Sequence, residues 1–267
     1  MPNQEPYSSD VNDREWELLG SLVTVPEKLG RPPRHDRRLV LNAIFYVVRS
    51  GCAWRLLPHD LPPWRLCYYY FAKWRENGLW QEINDHLRER VREKKHAKKK
   101  APSAAIFDAQ SVKVANHPGV RGYDAGKKIG GRKRHLVVDT LGLILGVVVT
   151  GAEVSDRAGA LEVLPPVLRG QPRLEQLWAD GGYAGGTLAE DLRAHAAHPG
   201  LRLEIIKRSD PAPKGFQVQP KRWVVERTFG WLMQARRLAR DYETKTTSSE
   251  AMIFIQASRI MLRRLAK

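Results

Sequence analysis

Apolar positions recur at helical spacing through the first hundred residues and in short, nearly continuous runs afterwards. The change falls at Lys94-Lys95-His96-Ala97-Lys98-Lys99-Lys100-Ala101-Pro102, a basic run closed by a proline. Before it, Asn12 and Glu15 have the spacing of a capping box, and Trp16, Leu18, Leu19 and Leu22 follow as the apolar side of a helix. Val40, Ile44, Val47 and Val48 predict a second helix from about Arg37 to Ser50, with Gly51 as its stop. Pro62-Pro63 open a third, carrying Trp64, Tyr68, Phe71 and Trp74 along one face. A fourth runs from about Leu79 into the lysines. The aromatic stripe reads as core, not as a base-stacking platform.

After Pro102 the runs become strands. Ala104 to Asp108, His135 to Asp139 and Leu143 to Thr150 are short and rich in branched residues, and Asp139-Thr140-Leu141-Gly142 has the chemistry of a hairpin turn. A helix over about 156–168, a strand over 174–180, a helix over 187–197, a strand over 201–206 and a long helix from near Lys221 complete the order. The reading is an α/β catalytic core with a mixed sheet over 101–267, in the order of an RNase H-like fold, preceded by a small all-helical region over 1–100. That region, with Arg31, Arg34, Arg37, Arg38, Arg65 and Arg75 on its flanks, suits a helix-turn-helix-like DNA-binding module.

Charge narrows the class of partner. The 267 residues carry 45 Lys+Arg against 29 Asp+Glu, a formal net charge of +16. The excess is +6 over residues 1–100 and +10 over 101–267, so the core itself is basic. Such a field calls for a polyanion, and nucleic acid is the default. Two cysteines, Cys52 and Cys67, make neither a disulfide framework nor a four-cysteine zinc site. The first residues lack a signal-peptide pattern and no apolar run is long enough for a membrane span. The expected setting is cytoplasmic and nucleoid-associated, with no membrane partner.

Three acids stand out by position. Asp108 ends the first strand, Asp180 ends the fourth and precedes Gly181-Gly182, and Glu226 lies in the first turns of the last helix, beside the stripe Val225, Phe229 and Leu232. In open α/β sheets ligands sit beyond the carboxyl ends of strands, where both aspartates belong if their strands are neighbours. Converging carboxylates in a basic protein suit hard divalent cations, which bind oxygen and, as a pair, assist in-line displacement at phosphorus. Asp139 is expected to shape the hairpin turn, Asp156 to cap the following helix and His135 to be structural. The stretch Lys113 to His135 holds seven Lys/Arg, including Arg121 and Arg134, against one acid, Asp124, and four glycines between 122 and 131. It reads as a flexible basic loop touching DNA.

Three blocks carry a resemblance. Phe107-Asp108-Ala109-Gln110-Ser111-Val112-Lys113, Ala179-Asp180-Gly181-Gly182-Tyr183 and Arg222-Trp223-Val224-Val225-Glu226-Arg227-Thr228-Phe229-Gly230-Trp231 resemble the motif blocks of bacterial insertion-sequence DDE transposases, RNase H-like enzymes of the group conventionally numbered four and five. The stretch from Arg31-Pro32-Pro33 through Ser50-Gly51-Cys52-Ala53-Trp54-Arg55-Leu56-Leu57-Pro58 resembles the helical segment that precedes the core in that group. The likeness spans about residues 10 to 265. It implies that Asp108, Asp180 and Glu226 are the catalytic residues and ligands of two Mg²⁺ ions, for which Mn²⁺ substitutes. Arg222 matches the arginine of the family pattern Tyr-x2-Arg-x3-Glu-x6-Lys, with Gln219 at the tyrosine position and Met233 at the lysine position. Arg236 or Arg237 is then the candidate for the missing cation.

The residues expected to touch DNA are therefore Lys113, Lys127, Lys128, Arg132, Lys133, Arg222, Arg236 and Arg237. The resemblance implies double-stranded DNA as partner, both the element's terminal inverted repeats and the target, and a homodimer in the synaptic complex. Three activities stay open at this point: a transposase that cleaves element ends and joins them to target DNA, an RNase H-like nuclease that only hydrolyses, and a DNA-binding regulator without catalysis.

Overall fold

Asn12 caps the first helix, α1 (Asp13–Val23), as expected: its side chain accepts from the Glu15 amide at 2.9 Å, and its own amide donates to Glu15 at 3.0 Å. In the computed structural model, residues 5–24, 35–95, 100–115, 118–196, 200–206 and 221–267 are described. Arg31, Arg34, the His96–Lys99 part of the basic run and Gln219 lie outside them. Helix α2 (Arg37–Ser50) ends at Gly51, whose φ of 75° is left-handed. A Cβ there would also stand 2.9 Å from Cβ of Arg236, so packing as well as conformation requires glycine. In α3 (Trp64–Glu76) the buried face is Cys67, Tyr70, Phe71 and Trp74. Tyr68 is exposed and meets Trp54 edge-on at 5.4 Å, so the aromatic stripe is core but sits one row round from its predicted position. Helix α4 (Leu79–Lys94) closes the region.

The sheet contains β1 (Ala104–Lys113), β2 (Gly122–Asp124), β3 (Ile129–Asp139), β4 (Ile144–Gly151), β5 (Gln176–Asp180) and β6 (Arg202–Ile206). β4 and β2 pair with one edge of β3, β1 pairs antiparallel with its other edge, and β5 and β6 follow in parallel beyond β1. This is the mixed α/β sheet of an RNase H-like core. Helices α5 (Asp156–Gly170) and α6 (Leu188–Ala196) form the chain's crossings between β4, β5 and β6. The hairpin turn forms as expected: the Asp139 carboxylate accepts from the amides of Leu141 and Leu143, both at 2.9 Å. Asp156 does not cap α5; Ser155 does, accepting from the Ala158 amide. His135 is structural: it is buried, its Nε2 is 3.0 Å from Thr150 Oγ1, and burial drives its pKa down to about 4.

Two readings of the sequence need correction. The expected loop between Lys113 and His135 is largely strand: β1 runs on to Lys113, and β2 and β3 occupy most of what remains. Gly131 is there for close approach, since a Cβ on it would meet the Val112 carbonyl oxygen at 2.0 Å. The long last helix is two helices: α7 (Trp223–Leu232) ends before Met233, and α8 (Thr246–Leu265) follows a tight 3-10 turn at Arg236–Leu238. Helix α8 is buried along most of its length and joins the regions on either side of residue 100. One continuous apolar core includes Leu19, Ile44, Phe71 and Leu87 from α1–α4, Ile106 and Leu136 from the sheet, and Ile253 and Met261 from α8. A second core beneath the other sheet face holds Phe107, Val137, Leu164 and Leu177. Among the described residues no helix is long and apolar enough to cross a membrane.

Candidate active site

Strands β1 and β5 pair only as far as Ile106 and Trp178. Beyond that rung they part, and the residues two further along each strand are Asp108 and Asp180. The first acid is thus not at a strand end, as its sequence context suggested, but at the point where β1 leaves its parallel neighbour. Helix α7 packs over β1 and β3, and Arg222 just before it reaches across to both aspartates. Nη2 of Arg222, one turn before Glu226, lies 4.0 Å from Asp108 Oδ2, 3.3 Å from Asp180 Oδ2 and 3.4 Å from Glu226 Oε1. Three carboxylates therefore share one cation position, and no two of these oxygens are farther apart than twice the longest of those distances.

Local backbone fixes two of the three. Asp108 accepts from the Ala109 amide at 2.7 Å, and Asp180 from the Gly182 amide at 2.8 Å, where the chain turns into a short 3-10 segment. Glu226 is half exposed and, among the described residues, is held by the guanidinium alone. Burial is the main cause that raises the Asp108 pKa to about 6; the neighbouring Asp180 adds to the rise, while the Ala109 amide, Arg222 and Lys127 oppose it. One arginine does not fully compensate the cluster. Tyr183, buried against Phe107 at 4.7 Å between ring centres, floors the site; burial first, then the acids, pushes its hydroxyl well above its ordinary range.

Among the described residues no group of three or more His, Cys, Asp and Glu side chains already stands in metal-binding geometry. The reason is visible in the distances: a guanidinium stands between the carboxylates. The donor set itself, three carboxylates converging on one positive charge, fits a hard divalent cation. The acids and their convergence follow the sequence expectation. The place of Arg222 does not, since it faces the carboxylates and not an open surface.

The remaining candidate DNA contacts divide by burial. Lys113, Lys127, Lys128 and Arg236 are exposed, and Lys127 reaches back to the Ala109 carbonyl at 3.0 Å, beside Asp108. Arg132, Lys133 and Arg237 are not available to a phosphate. Arg132 is fully buried, paired with Asp241 at 3.0 Å and donating to the carbonyls of Val120, Glu243 and Thr244. Lys133 pairs with Asp156 at 2.9 Å and Asp124 at 3.6 Å, and Arg237 with Glu243 at 2.7 Å. Arg132 thereby holds the chain that leaves α7 against the sheet, Lys133 ties β3 to β2 and to the start of α5, and Arg237 ties the segment after α7 to itself and to the Cys52 carbonyl. Reading Arg132 and Lys133 as loop residues missed this role; the signal was the strand alternation that continues upstream of His135, hidden because both faces carry charge.

Comparison with known proteins identifies the family. Residues 99–261 match the family model described as "Transposase DDE domain", and residues 11–84 match "Putative transposase of IS4/5 family". A "Putative transposase for insertion sequence element IS402" from Burkholderia cepacia is 36% identical over 122 residues, 43% of this chain and 55% of that protein. "Uncharacterized protein y4sN" of Sinorhizobium fredii is 34% identical over 73 residues, 27% of this chain and 58% of that protein. The chain thus spans a little over half the length of these two relatives. No solved structure matches. With the DDE model covering most of the chain and the IS4/5 model covering its helical region, the chain belongs to the DDE transposases of the IS4/5 group of insertion sequences.

Proposed function

We propose that this transposase binds the terminal inverted repeats of its insertion sequence, cuts a strand at the element end and joins the freed 3′ hydroxyl to target DNA. The observation that carries the reading is the convergence of Asp108, Asp180 and Glu226 on one point at the opening between β1 and β5. These three residues would hold the divalent cations, Mg²⁺ or Mn²⁺. When bound, such ions assist the attacking oxygen and stabilise the leaving one. The protein's part is placement. The Ala109 and Gly182 amides hold the two aspartates in orientation, the Tyr183–Phe107 pair closes the floor, and the exposed Lys113, Lys127 and Lys128 supply charge for the DNA backbone. The helices α1–α4 would contribute recognition of the inverted repeat, and a homodimer would bring two ends together. A cytoplasmic, nucleoid-associated protein follows from that substrate.

Incubating the protein with a pre-cut element end, target plasmid and Mg²⁺ tests the reading. The wild type should give joined product and Asp108→Asn none, while both bind the end duplex. Hydrolysis without joining would identify a nuclease. Binding with neither product would identify a regulator.

A further inference from the structure

Helix α7 has a second chemical face. Trp223, Arg227 and Trp231 follow one another at intervals of four, one position round from the Arg222–Glu226 row. The Arg227 guanidinium lies 4.3 Å from the Trp223 ring centre and 4.4 Å from that of Trp231. Arg264, from α8, stacks on Trp231 at 4.2 Å. Together with Lys94 and Lys95 at the end of α4, these side chains line a concavity of about 760 Å³.

Among the described residues no carboxylate pairs with Arg227, Arg264, Lys94 or Lys95. The nearest acid to act on either arginine, Asp139, is already bound by Arg92 at 2.6 Å. Arg227 donates once, to the Leu141 carbonyl at 3.1 Å, and its buried Nε has no partner among the described residues. Lys94 caps the carbonyls of Arg264 and Leu265, at 3.1 Å each, which ties the ends of α4 and α8 together beside the two guanidinium groups. Burial, and after it the Arg227 charge, hold the Arg264 pKa below its ordinary value. Two guanidinium groups on one indole, partly desolvated and mutually repelling, are an arrangement that an anion relieves.

We propose that this pocket is a second DNA subsite, which grips the phosphodiester backbone of a short stretch of strand next to the carboxylate cluster. It rests on the reading that the protein acts on DNA. The position supports it: Arg227 follows Glu226 directly in α7, so a strand leaving the cluster needs only to cross the helix to reach the pocket. The size supports it too, since a volume of this order holds a small-molecule-sized segment and not a duplex. The exposed Trp223 ring adds a flat surface of the kind on which strands rest. Lys94 and Lys95 begin the basic run that the sequence marks between the helical region and the core, and this gives that part of it a function.

Equilibrium binding of labelled duplex and single-stranded DNA across a salt series tests the proposal. The variants are the double substitution Lys95→Gln/Arg264→Gln, the charge-preserving Arg264→Lys, and Arg169→Gln on α5 as a control of equal kind. The double variant should keep its melting temperature, bind single strands about tenfold more weakly and show a salt slope smaller by about 1.4 on single strands, roughly 0.7 per lost contact. Arg264→Lys should retain most of the affinity, and Arg169→Gln all of it. If the wild type binds DNA and the double variant binds it with the same affinity and slope, the pocket assignment is wrong and the DNA reading stands. If the wild type binds neither form of DNA, both fall.

Discussion

Two basic regions look alike in the sequence and differ completely in the fold. Arg132, Lys133 and Arg134 lie in the middle of β3, and their charges are consumed internally by Asp241, Asp156, Asp124 and the Leu238 carbonyl. Arg227 and Arg264, where α7 and α8 pack together, rest on the Trp231 indole and repel one another electrostatically. Burial lowers the pKa of Arg134, to about 10, as it lowers that of Arg264, so desolvation alone does not separate the two groups. Partners do. A cation whose neighbours already satisfy it belongs to the fold; a cation resting on rings, with no carboxylate partner among the described residues, is available to a substrate. Net charge in this chain therefore overstates the surface open to DNA.

The largest break in that comparison comes from the consumed group. Arg132→Met leaves Asp241 buried without its cation and frees the carbonyls of Glu243 and Thr244, so unfolding free energy should fall by about 3–5 kcal/mol. Thermal melting should record this, and the double variant Arg132→Met/Asp241→Asn should recover part of it. An unchanged melting temperature would mean that Arg132 does not hold the segment after α7.

Glu250 is the converse case, a half-buried carboxylate with no paired cation among the described residues. Its pKa is raised to about 7, chiefly by burial, against the Val149 amide that donates to it at 2.9 Å. A folded pKa above the unfolded 4.5 means that this residue's contribution is most favourable below about pH 4.5 and is lost as pH rises through 7. Glu250→Gln should remove that loss, raising stability at pH 8 by roughly 1–3 kcal/mol while changing little at pH 4. Denaturant melts at the two pH values decide it. A similar gain, about 1–3 kcal/mol at neutral pH without metal, is expected for Asp108→Asn, since the Asp108 pKa is also raised, to about 6. In that variant gain of stability should accompany loss of strand cleavage, and a parallel loss of both would make Asp108 a structural residue.

The smallest effect on stability sharpens the other side of the comparison. Neutralising the exposed Lys127 and Lys128 should change unfolding free energy by less than about 0.5 kcal/mol. Binding to random and element-end duplexes should weaken alike, with the log–log salt slope reduced by up to about two units. An unchanged slope would make these lysines merely solvated.

Periodicity and turn chemistry made most of the architecture legible: the capping box at Asn12, the Gly51 stop, the β3–β4 hairpin and the alternation of strands and helices after Pro102. The acids were legible in part, because the strand end and the glycines at Asp180 mark a ligand edge, whereas Asp108 lies within β1 and not at its end. Three things were not. β2 is only three residues long, and β3 carries charge on both faces at Arg132, Lys133 and Arg134, so no apolar period announces them. Helix α8 is buried along most of its length although Ser248, Ser249, Gln256 and Ser258 are among its buried residues, because it is shared between the helical region and the sheet, a tertiary fact. For the same reason removal of residues 1–100 would strip one side of a common core, so recognition by α1–α4 is tested by substitution and not by truncation. The position of Arg222 among the acids depends on the angle at which α7 meets the splayed strands, which no local pattern encodes.

The claim at the centre of this account is that Asp108, Asp180 and Glu226 form one cation site that Arg222 fills in the free protein. Titrating Mn²⁺ into the DNA-bound protein and following free Mn²⁺ by electron paramagnetic resonance tests it most directly. Saturable binding in the wild type, at least tenfold weaker in Asp180→Asn and in Asp108→Asn, is the predicted result. Equal Mn²⁺ affinity in the wild type and both variants would contradict it.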